Sequence, residues 1–211
     1  MPPPVPPPLT LEGATPPPVA WPLRSQAGEG PRPADWINLA LVGPADDVLA
    51  AFARAGWTTA DRSSWRADAK TFVAVAERHG YATGPVSLLT LAGAPPALVF
   101  QRATNTFAAR HHVRVWASTA RLGPAPIWFA AATHDIAIEF SREAHRLTHR
   151  IDGAIDDERD RLAADLIDAG AVDAFSAVER PAVDRRSVNA AGDAVTTDGR
   201  LIVLRLAPAR D

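Results

Sequence analysis

The chain predicts a single α+β domain with a mostly antiparallel sheet, about three helices and a disordered proline-rich N-terminal tail. Three observations carry this. Short apolar runs of strand period follow one another between residues 86 and 140 with no helical stretch among them. Helical periods with acidic or serine starts and glycine stops stand apart from those runs, near 46–56, 63–80 and 156–170. A length of 211 residues, 47% of them hydrophobic, suits one sizeable core rather than two.

Residues 1–34 carry PPPVPPPL, TPPPV and GPRP. Each proline ring removes a backbone donor and fixes φ, which excludes a helix or an interior strand and predicts an extended, disordered tail before a globular domain over 35–211. Trp21 and Leu23 are the residues able to pin its end.

From Trp36 onward, Ile37, Leu39, Leu41 and Val42 read as a strand, Gly43-Pro44 as a turn, and Asp46-Asp47 as helix-start carboxylates favoured by the helix dipole. That helix presents Val48, Leu49 and Phe52 and stops at Gly56. A second helix is expected from Ser63 or Ser64 to Gly80, burying Phe72, Val73 and Ala76, with His79 in its last turn. VSLLTL (86–91) and ALVFQR (97–102), separated by GAPP, read as neighbouring antiparallel strands. Three central segments extend that sheet. Asp156-Asp157-Glu158 then opens a helix whose Leu162, Leu166 and Ile167 face inward and which ends at Gly170, the acidic run compensating the dipole. AFSAVER and GRLIVLRL close the chain as two strands.

Composition excludes several chemistries. Net charge is −2, leaving no basic field for nucleic acid or an anionic membrane surface. The absence of cysteine removes disulfides, thiolate nucleophiles and Cys-ligated zinc or iron-sulfur sites. No leader pattern and no membrane-length apolar run is present, so the expectation is a soluble, cytoplasmic protein. GxSxG, GxxxxGK[ST] and GxGxxG are all missing, which argues against common serine hydrolases, P-loop enzymes and dinucleotide oxidoreductases.

Five of the six histidines fall between Phe107 and Asp152. Alternate strand residues point to opposite faces, so each central segment sorts by parity. His111 shares a face with Val113 and Val115, His134 with Ala132 and Ile136, and His149 with Leu147 and Ile151. Three imidazoles from three strands make the ligand set of a zinc, iron or manganese site with a position left for water or substrate. Asp135 is the candidate general base. The alternative is three buried histidines bonded to backbone or carboxylate, since no HExxH or other diagnostic spacing is present. On the opposite face, Arg110, His112, Arg114, Trp116, Arg150 and Asp152 form a set able to grip an anionic small molecule through guanidinium forks. A solvated face of offsetting charges is the alternative there. His145 and His149 are four apart, but Thr148 and Ile151 favour a strand.

RHHVRVW (110–116), AATHD (131–135), THRID (148–152), DERD (157–160), AGWTTAD (55–61) and FQR (100–102) together resemble the LssY C-terminal domain family over roughly residues 36–180. The resemblance implies no established activity. It implies a domain often joined to membrane-embedded modules, among them DedA-like proteins and type 2 phosphatidic acid phosphatases. Neither apolar spans nor a PSGH-type phosphatase motif is present, so that activity does not carry over.

Three functions are therefore expected in order. The first is an accessory domain binding an anionic small molecule or headgroup through the Arg/His/Asp cluster. The second is a metal-dependent hydrolase of the phosphoester class, with His111, His134 and His149 on one divalent ion and Asp135 as base. The third is a structural module recruiting partners through the proline-rich segment.

Overall fold

A computed structural model describes residues 4–27, 32–60, 89–103, 110–141, 146–189 and 192–209. They form a nine-stranded sheet along β11 (Val172–Glu179), β14 (Arg200–Leu206), β4 (Leu39–Val42), β9 (Ala125–Ser141), β8 (Arg110–Leu122), β7 (Leu98–Ala103) and β5 (Thr58–Thr59). β1 (Ala14–Thr15) pairs with β8, and β10 (Arg146–Ile151) with β9. Among the described residues, the named strands of this sheet pair antiparallel except β14 with β4, so the expected mostly antiparallel sheet holds. Two small sheets flank it: β3 (Arg32–Trp36), β2 (Arg24–Ala27) and β6 (Leu89–Thr90), and the pair β12 (Arg186–Val188) and β13 (Ala194–Thr196).

Strand parity splits the apolar residues into two cores, one on each face of the sheet. On the first face Leu39, Leu41, Val113, Val115, Ala130, Ala132 and Leu204 meet α1 (Ala45–Arg54) and α2 (Ile155–Asp168). Phe52 of α1 stacks on Phe100 at 3.8 Å, and Trp57 packs edge-on against Phe52. Burying side chains such as Phe52, Leu162 and Leu166 contributes roughly 1.5–3 kcal/mol each. Both helices stop at a left-handed glycine, Gly56 at φ +75° and Gly170 at φ +62°, as expected. Leu49, expected on the inner face of α1, is exposed instead.

The second face carries Ile37, Ala40, Val42, Trp116, Phe129, Ala131, Leu201 and Val203. Its cover is the N-terminal segment over residues 4–27, which packs on the sheet where a disordered tail was expected. Leu9 and Trp21 are buried in this core, and Trp21 meets Phe129 edge-on. Leu9 donates to Phe175 O and Phe175 donates to Pro7 O, so the segment runs along the outer edge of β11. Pro8 sits between those two bonds, where its missing N–H is not needed. Prolines that forbid a helix still permit this edge pairing, and the apolar residues between them supply the burial.

Two further expectations change. β6 pairs with β2 rather than with β7, so the runs around GAPP belong to different sheets. Two α-helices occur among the described residues rather than about three, and the stretch expected to hold the helix from 63 to 80 lies outside them. No helix among the described residues is long and apolar enough to cross a membrane.

Candidate metal centre

The site is assembled by β8, β9 and α2. Antiparallel register sets His111 directly opposite His134, and on the other side of β8 it sets His111 opposite Arg102 of β7. Parity turns His111 toward the helix face, with Val113 and Val115 further along the strand. The two imidazoles stack, with centroids 4.4 Å apart and planes 18° from parallel. Trp57 closes one wall, edge-on to His111 at 6.3 Å.

From above comes α2. Its buried positions Ile155, Glu158, Arg159, Leu162, Ala163 and Leu166 follow the helical period, so Glu158 lies on the stripe that faces the sheet. His111 Nδ1 and Glu158 Oε2 are 2.8 Å apart, with only 5% and 4% of their side chains exposed. One ligand atom from each of His111, His134 and Glu158 falls within a group spanning no more than 4.8 Å. His134 Nε2 is buried with no hydrogen-bond partner among the described residues.

Burial pushes the His111 imidazole down to about 4, with His134, Arg161 and Arg102 adding to the effect and Asp165 opposing it. The ring is therefore neutral at pH 7. A neutral imidazole beside a carboxylate donates from Nδ1 and keeps its lone pair on Nε2.

The first turns of α2 are tied down independently. Arg159, almost wholly buried, donates to Asp156, Asp160, Asp198 and Arg200 O, and these contacts keep its charge despite burial. The Asp152 amide donates to His134 O, while its carboxylate accepts from Ala154 N–H. Gly153 is required between them, because a Cβ there would lie 2.5 Å from Ala194 O. Glu158 is thus positioned from both sides.

Of the other expected site residues, Arg114, Trp116, His112 and Asp152 have described side chains. Arg114 pairs with Asp35 at 3.1 Å, Trp116 is fully buried in the second core, and His112 is half-buried on that same face. Asp152 serves the turn into α2. Arg110 pairs in backbone register with Asp135, and His149 with Ile138, four residues along β9 from His134. The side chains of Arg110, Asp135, His149 and Arg150 are outside the described set, and His79 and His145 lie outside the described residues. The structure therefore brings His111 and His134 together and adds Glu158, which the dipole reading of the acidic run overlooked. A signal for it existed: Ile155, Glu158 and Leu162 keep one helical stripe.

A family model described as LssY C-terminus matches residues 24–201, a span that contains all three of these residues and leaves residues 4–23 of the described chain outside it. No curated protein and no solved structure matches the chain.

Proposed function

The chain belongs to the LssY C-terminus family, whose description names no reaction, and from the site itself we propose a metal-dependent hydrolase with His111, His134 and Glu158 as protein ligands. The observation that carries this is the convergence within 4.8 Å of three donors from three elements, His111 and Glu158 buried and His134 half-buried. Ligands 2.0–2.2 Å from a tetrahedral ion stand about 3.3–3.6 Å from one another. The donors lie within 4.8 Å of one another, so shifts on the order of 1 Å would let His111, His134 and Glu158 hold such an ion. Two imidazoles and one carboxylate are a ligand set of catalytic zinc and of non-haem iron, both of which keep open positions. When bound, such an ion brings a coordinated water toward ionisation near neutral pH. The elements that carry the ligands are themselves fixed, since the Asp152 amide donates to His134 O and Arg159 ties α2 to Asp198.

Elemental analysis of the full chain purified without chelators tests it. About one equivalent of zinc, iron or manganese per chain is expected, absent from His111→Ala and strongly reduced in Glu158→Gln. A wild-type protein without stoichiometric metal, or turnover that survives complete chelation, sinks the reading.

A second reading is the capture of a small anion on the opposite face. It is favoured by a cleft lined by Arg24, Asp35, Thr133 and Asn189, where the Thr133 hydroxyl is buried without a hydrogen-bond partner among the described residues. Arg114→Ala, which frees Asp35 beside that cleft, is expected to weaken anion capture and leave metal content unchanged. An unaltered affinity in that variant counts against it.

A further inference from the structure

Resting on the metal-centre reading, we infer that the site takes a phosphomonoester dianion, held between Arg102 and Arg161 over the His111–His134–Glu158 triad. Arg102 stands across from His111 in the β7–β8 register, on the same face of the sheet. Its Nη1 donates to Asp165 Oδ2 at 2.6 Å, while 42% of the side chain stays exposed. Asp165 also accepts from Trp57 Nε1 at 3.1 Å, so the carboxylate that orients Arg102 is itself anchored to the wall of the site. The guanidinium carries five N–H donors, and Asp165 engages only one of its nitrogens in that ion pair.

Arg161 approaches from the helix. It follows Glu158 by three residues, one turn further along the same side of α2, and it is exposed. Arg161 and Asp165 are four residues apart and so neighbours along α2, and Asp165 holds Arg102 through their ion pair, which groups these three charges beside Glu158. Asp165, seven residues beyond Glu158, completes that row on the helix.

Charge selects the ligand. Among the described residues, two guanidiniums and one divalent ion would stand against the carboxylates of Glu158 and Asp165, a surplus of two positive charges. A phosphomonoester with a second pKa of about 6 is mostly dianionic at pH 7 and matches that surplus. A phosphodiester or a carboxylate offers one negative charge and leaves the site undercompensated. In the reaction, the oxygen of water forms the new P–O bond. The P–O bond to the ester oxygen breaks with its electron pair going to that oxygen, which leaves as the alcohol with a proton from the water, and inorganic phosphate is the second product.

The experiment is calorimetric titration of the metal-loaded full chain with inorganic phosphate and with dimethyl phosphate. Phosphate is expected to bind roughly tenfold tighter or more than the monoanionic diester, and Arg102→Ala and Arg161→Ala are each expected to weaken phosphate by about tenfold with metal content unchanged. Equal affinity for the two anions, or variants within about twofold of wild type while metal is retained, overturns the inference and leaves the metal centre standing. A wild-type chain that holds no metal removes both. Release of phosphate from phenyl phosphate identifies a soluble monoester as the source, release only from phosphatidylcholine vesicles carrying a phosphomonoester lipid identifies a headgroup, and release from neither overturns the inference.

Discussion

Glu158 is the residue on which the site turns. A carboxylate taken out of water is costly unless paired, and its pairing here is with His111. Glu158→Gln in metal-free protein is expected to lose roughly 1.5–3 kcal/mol of stability by urea unfolding. Combined with His111→Ala it is expected to lose less than the sum of the single changes, and strict additivity would show that the two side chains do not interact. Asp198 sets a pH dependence. Burial raises its carboxyl, but Arg159 and the Arg200 amide outweigh that and hold it below the ordinary value of 3.8. Its contribution is therefore complete above about pH 4 and is lost as pH falls through the depressed folded value. Urea midpoints between pH 5 and pH 2 should converge for wild type and Asp198→Asn, and parallel curves would refute the assignment.

At the level of the element, α2 holds charges for two different reasons. Its exposed Asp157 suits the helix dipole, as the acidic start predicts. Arg159 instead locks the helix onto the turn before β14 through Asp198, with Asp156 accepting from both Arg159 and Thr197. Arg159→Ala removes the cation from carboxylates that remain partly solvated and is expected to cost about 1–3 kcal/mol. It is also expected to weaken metal binding without touching a ligand, because Glu158 is the neighbouring residue; metal affinity at wild-type strength in a destabilised but folded variant would separate the helix anchor from the site. Gly153→Ala tests the same junction from the strand side. The Cβ meets backbone at Ala194 O, which no rotamer relieves, and a loss of about 1–3 kcal/mol is expected by thermal unfolding.

On the scale of the whole molecule, the sheet is a two-sided layer, with helices over one face and the N-terminal segment over the other. Removing residues 1–23 uncovers the core around Trp21 and Leu9 and bares the edge of β11. Each of those two side chains contributes roughly 1.5–3 kcal/mol by burial, so the truncated chain is expected to unfold at lower urea and to self-associate through the exposed edge. A truncated chain as stable and monomeric as the full one would return the segment to the status of a tail.

Much of this was legible in residue order. Period two in HHVRVW and AAATH sorts the faces of β8 and β9, and the Asp starts and Gly stops bound α1 and α2, because these signals are local and depend only on backbone geometry. His111 and His134 could be placed on one apolar face for the same reason. What only the tertiary structure decided is non-local. Register across the β8–β9 hairpin set those two imidazoles side by side, and packing of α2 on the sheet turned Glu158 toward them rather than toward water. The same holds for the proline-rich lead: composition determined that it is no helix, but only a sheet with one uncovered face and one open edge determined that it is part of the fold.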